Sequence, residues 1–144
     1  MEETARRTPE ISLEEAFLGA AGELGYEDGP AGVVAAALGH LQRGFDAHYA
    51  VGAGGVTDDG VLEGDESYAH AVQTIAKLDE PRFVAVAARM IRDGAGRIAS
   101  GEAVTVETWT PHLVELLDVI SDEGADRSLE RIRASIGELR EGVV

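Results

Sequence analysis

An all-α fold in a single domain is what this sequence predicts, and three features predict it. Apolar residues recur at helical steps almost throughout: Val84, Ala88, Ile91, Ala95 and Ile98 advance by four, three, four and three along one face. Sustained strand alternation is absent. Helix start and stop signals punctuate the chain at short intervals, and 144 residues, 44% of them hydrophobic, suffice for one core. Such a chain buries roughly 70% of the surface it exposes when unfolded.

The elements follow in order from their caps. Ser12 with Glu15 reads as a capping box and starts a helix over about 12–25, which leaves residues 1–11 as a flexible N-terminal segment. Asp28 before Pro30 starts a second helix over about 30–50. Residues 51–64, within "VGAGGVTDDGVLEGD", have the Gly and Asp density of a long loop and are the stretch expected to move most. Asp65 starts a third helix over about 65–78. Asp79 and Glu80 before Pro81 start a fourth, over about 80–100. Thr110 before Pro111 marks a fifth over about 110–122, carrying Leu113, Leu116, Leu117 and Ile120. The sixth, over about 126–141, bears a narrow stripe of Leu129, Ile132, Ile136 and Leu139 flanked by Arg131, Arg133 and Glu138. A stripe of that width either seals a core or docks against another chain.

Glycines inside these helices (Gly19, Gly22, Gly32, Gly39, Gly44) each cost about 1 kcal/mol against alanine. Close helix-to-helix approach explains them, and so does compositional drift. Either way the helices are too marginal to stand alone, so tertiary packing must hold them.

Charge narrows the partners. The 27 acidic residues outnumber 12 basic ones, for a net charge of -15, and Lys77 is the single lysine. A chain so charged repels phosphate backbones and anionic lipid, which argues against nucleic acid and membrane surfaces as direct partners. A dense carboxylate surface also suits a protein that stays soluble in high salt. There is no cysteine, hence no disulfide, thiolate metal site or Cys nucleophile. No apolar run approaches the ~20 residues of a membrane span, so the expected location is the cytoplasm.

No catalytic signature stands out. Asp118 and Asp122 share a helix face at the spacing a metal needs, and Asp58 with Glu63 would do so if the loop folded back. With 27 carboxylates, such pairs also arise as ordinary solvated acidic faces. His40, His48, His70 and His112 make no zinc pattern. "GAGG" at 52–55 lacks the strand and the Lys-Thr or Lys-Ser of a phosphate loop. Trp109, the sole tryptophan, lies beside Thr110 and Pro111, where a tryptophan usually staples the start of a helix onto the core.

One stretch carries a resemblance. Gly64-Asp65 followed by Ala69, Ala71, Ile75-Ala76 and Glu80-Pro81, then Gly101-Glu102 after "RIAS", resembles a segment of trans-polyprenyl diphosphate synthases. In those enzymes a Gly-Asp pair opens a helix with small residues four and six positions on, and the following helix finishes in a Gly-Glu pair. The resemblance covers about residues 38–102. Active members hold magnesium and an allylic diphosphate on two aspartate-rich motifs, because three carboxylates on one face must bridge ions and pyrophosphate. Where the first motif is due, this chain reads "GHLQRGFDAHYAV" and offers only Asp46, with His48 nearby. Asp58-Asp59 lies too close to Gly64-Asp65 to replace it, and the chain is about half the length of a complete synthase.

The resemblance therefore implies a small, non-catalytic subunit of a heteromeric synthase of the hexaprenyl or heptaprenyl kind. It implies no catalytic, cofactor-binding or metal-binding residue here, Mg²⁺ in the catalytic large subunit, and that subunit as partner. It also implies a share in setting product length, with Leu38, Leu41, Phe45 and Tyr49 as candidates to face a prenyl tunnel or the partner. The rival expectations are a free-standing acidic helical bundle, homodimeric and acting as a binding or adaptor protein, or a minimal metal cluster of Asp58, Asp59 and Asp65.

Overall fold

Six helices and no strand make up the described residues of the computed structural model, namely 11–22, 29–52, 58–102 and 104–143; for 49–52, 58–61 and 143 only the backbone is described. They are α1 (Leu13–Gly22), α2 (Pro30–Gly52), α3 (Asp58–Ala76), α4 (Pro81–Ala99), α5 (Val106–Ser121) and α6 (Ala125–Val143). The all-α expectation holds. Two of the start signals act as caps: Ser12 Oγ accepts the Glu15 N–H at 3.2 Å, which is one half of the expected capping box, and Glu80 caps α4 by accepting the Arg82 N–H at 3.1 Å, with Pro81 in the first turn. The predicted cap Asp28 lies outside the described residues.

Three expectations need correction. The third helix starts at Asp58, seven residues before Asp65, so residues 58–64 of the expected loop 51–64 are helix and 51–52 complete α2. Gly64 is the reason: it is buried against His48 of α2, and packing of that kind outweighs the propensity cost of glycine. The fifth helix starts at Val106, with Thr110 and Pro111 inside it. Its real cap is Thr105, whose N–H donates to Thr108 Oγ1 at 3.2 Å. Burying Val106 and Trp109 offsets the one backbone bond that Pro111 removes. Ile11, expected in the flexible segment, belongs to the core at 3% exposure. Gln42 ties that turn down, its Nε2 donating to the Ile11 carbonyl at 3.2 Å and its Oε1 accepting the Leu13 N–H at 2.8 Å.

Cross-helix contacts set the topology. Leu13 meets Gln42, His40 meets His70 while His48 meets Asp65, Arg89 meets Glu115 while Asp93 meets His112, and Glu107 meets Arg140 while Glu123 meets Arg131. Numbers that rise on one helix fall on the next, so α2–α3, α4–α5 and α5–α6 are antiparallel pairs. The circuit closes where α6 returns to α1, Ser135 Oγ donating to the buried Ala16 carbonyl at 2.8 Å over Gly19. Among the described residues α2 touches α1, α3, α4 and α5. It lies deep in the core, with Leu38, Leu41 and Phe45 at 1%, 1% and 0% exposure. No described helix is long and apolar enough to cross a membrane.

Candidate functional site

The resemblance directs attention first to the α2–α3 crossing, and that crossing is closed by close packing. Gly44 and Gly64 face each other across it; a methyl group on Gly44 would run into the Tyr68 ring and one on Gly64 into His48. Glycine at both positions lets the two backbones approach until Tyr68, 8% exposed, fills the space between them. Burial raises the Tyr68 hydroxyl above the ordinary phenol value, with Asp65 adding to the effect. His48 Nε2 lies 3.2 Å from Asp65 Oδ1 without forming a hydrogen bond to it.

From this crossing an aromatic ladder runs through the core. His48 packs on the edge of Tyr68 at 4.9 Å between ring centroids, Tyr68 on Phe45 at 5.5 Å, Phe45 stacks on Trp109 at 4.7 Å and 7°, and Trp109 meets His112 at 5.6 Å. His112 ends 3.4 Å from Asp93. The ladder joins α2, α3 and α5, with Gly94 of α4 against Phe45. Its physical content is packing area and ring contact, which make it a structural spine. Trp109, fully buried, staples the start of α5 to the core as expected, although that start lies three residues earlier.

Of the four candidates for a tunnel or a partner surface, Leu38, Leu41 and Phe45 are core residues of this chain. Tyr49 is on α2, and its side chain lies outside the described residues. The carboxylates are dispersed. Asp46 lines a shallow cleft of about 320 Å³ with Arg43, Glu63 and Ser67, while Asp65 faces His48. Asp118 Oδ1 accepts the Gly124 N–H at 2.7 Å and Asp122 takes the left-handed conformation that ends α5 (φ 57°), so that pair shapes a turn. Asp58 shares α3 with Glu63, which removes the fold-back that would have joined them; the side chains of Asp58 and Asp59 lie outside the described residues. Among the described residues no three His, Asp or Glu side chains converge as a metal site would need.

The larger concavity is elsewhere, between α5 and α6. It is a cleft of about 710 Å³ with a floor of Pro111, Val114, Leu129 and Ile136. Charged groups rim it: Asp126, Arg133, and the Glu107–Arg140 pair at 2.8 Å. That pair holds the Glu107 carboxyl below the usual carboxylate range, chiefly through the hydrogen bond from Arg140. Leu129 and Ile136 were visible in the sequence as members of the stripe of the last helix, and Arg133 as one of the charged residues flanking it. The α5 wall was hidden by the misplaced helix start, which read Pro111 as a boundary.

No protein-family model, curated protein or solved structure matches the chain.

Proposed function

We propose that this chain is a non-catalytic, partner-binding helical subunit, and that its partner is the catalytic large subunit of a heteromeric trans-polyprenyl diphosphate synthase. The observation that carries the reading is the α2–α3 crossing. The resemblance asks for three carboxylates on one face there, and the crossing is instead occupied by Gly44, Gly64, His48 and the Tyr68 ring. Asp46 and Asp65 are engaged separately, beside Arg43 and against His48. In this reading the large subunit supplies the Mg²⁺ sites, ionises the allylic diphosphate and adds isopentenyl diphosphate. This chain contributes helix surface that biases how far the product grows.

The test mixes purified chain with a large subunit, an allylic primer, isopentenyl diphosphate and Mg²⁺. The expected result is a complex whose rate and product length differ from those of the large subunit alone. Identical products at identical rates overturn the reading. A second reading, a free-standing binding or adaptor protein acting as a homodimer, is favoured by the α5–α6 cleft, which requires no prenyl chemistry. Light scattering on the isolated chain checks it: a constant dimer mass that ignores the large subunit supports it.

A further inference from the structure

The α5–α6 cleft has the shape and charge of a seat for a helix. Along α6 its lining residues Asp126, Leu129, Arg133, Ile136 and Arg140 advance by three, four, three and four. Steps of three and four keep these side chains on one face of α6, where a helix laid along the cleft would meet them. From Ala125 to Arg140 the cleft follows α6 for about 22 Å at 1.5 Å per residue. A helix of that length and ~10 Å diameter occupies roughly 1,700 Å³. The cleft offers about 710 Å³, which accepts one face of such a helix and leaves the other in water.

Charge fixes what that face must carry. In a chain of net charge -15, Arg133 stands in this cleft with no carboxylate partner among the described residues, whereas Arg140 at the same rim is satisfied by Glu107. Asp126, seven residues before Arg133 on the same seam, has no cationic partner among them either. Gly137 leaves open space beside the seam where a side chain would project, so the cleft is kept clear.

We propose that the α5–α6 cleft docks one amphipathic helix of a partner protein. The docked face presents apolar residues at three- and four-residue steps to Pro111 and Leu129, over a floor in which Val114 and Ile136 are 8% and 5% exposed. It also presents a carboxylate to Arg133 and, two turns away, a base to Asp126. The inference rests on the partner-binding reading but not on the partner being a prenyl synthase subunit. Charged residues set among apolar ones along such a face set register and select the partner, at a cost in affinity.

The probe is a fluorescein-labelled helical peptide of about 16 residues with a leucine stripe at those steps and a Glu and a Lys seven residues apart. Its fluorescence anisotropy is titrated with the full chain. Saturable binding is expected, weakened about tenfold or more by Arg133→Glu and by Gly137→Leu, the second filling the cleft. Replacing the peptide's Glu with Lys should weaken binding to the wild type and restore it to Arg133→Glu. Circular dichroism should show both variants folded, with Arg133→Glu melting near the wild type and Gly137→Leu no lower than it, since Arg133 is exposed and Gly137 has open space around it and gains helix propensity. Absence of saturable binding, or equal affinity for all three proteins, overturns the proposal. So does saturable binding of dodecyl phosphate that displaces the peptide and is itself lost in Gly137→Leu, because the cleft would then be a site for anionic amphiphiles. If the peptide binds as expected while a prenyl synthase large subunit is ignored, the docking site stands and the identity of the partner falls.

Discussion

At the residue scale, the side chains that matter most are those whose surroundings decide their chemistry. His40 shows this. Its Nδ1 accepts a hydrogen bond from Arg43 Nη2 at 2.8 Å, so the ring is neutral with its proton on Nε2. Burial lowers its pKa below the ordinary 6.5, Arg43 and the His70 ring at 5.6 Å lower it further, and Glu14 partly opposes them. A histidine with a lowered folded-state pKa binds more protons when unfolded, so stability rises with pH across the interval. Its contribution is present above 6.5 and lost as pH falls through the folded value. In an NMR titration of the ring protons, His40 should titrate below 6.5, and Arg43→Gln should move it upward. An unmoved midpoint in the variant would remove Arg43 as a cause.

At the element scale, glycines separate into those a neighbour requires and those it does not. Gly94 and Gly96 share α4 and the same intrinsic helix cost. A methyl group on Gly94 would meet the Phe45 ring at 2.5 Å, and Phe45 cannot retreat because Trp109 is stacked on it. Around Gly96 there is nothing within 4 Å. Gly96→Ala should therefore stabilise by about 1 kcal/mol in urea unfolding, the gain in propensity. Gly94→Ala should destabilise by about 1–3 kcal/mol despite the same gain, because overpacking dominates. Equal shifts in the two variants would mean that the Phe45–Trp109 stack yields easily. The same logic explains the early start of α3, where Gly64 reads as a breaker in isolation and acts as a contact once α2 lies against it.

For the whole molecule, charge is the controlling quantity. The cross-helix pairs Arg89–Glu115, at 2.6 Å, and Arg140–Glu107 are exposed, with all four side chains more than 40% accessible, and such pairs contribute about 0–1 kcal/mol each. Self-repulsion at net charge -15 acts on the entire surface and is screened as the Debye length shrinks from about 10 Å at 0.1 M to 3 Å at 1 M salt. The melting temperature should rise by about 4 °C or more between 0.1 and 1 M NaCl, equivalent to roughly 1 kcal/mol in a chain of this size. A fall would show that the ion pairs dominate. By itself the sequence determined the helical class, six helices, the Ser12 and Glu80 caps and the amphipathic stripe of α6, because periodicity and capping act over a few residues. It also showed that "GHLQRGFDAHYAV" carries a single carboxylate, Asp46. Only the tertiary structure decided that Gly64 and Pro111 lie inside helices, that Phe45 is sealed between Trp109 and Gly94, and that Arg133 faces a cleft walled by Pro111 and Val114. Those outcomes depend on contacts between residues far apart in the chain, and contact energies at a packed crossing exceed the local preferences that a linear reading can weigh.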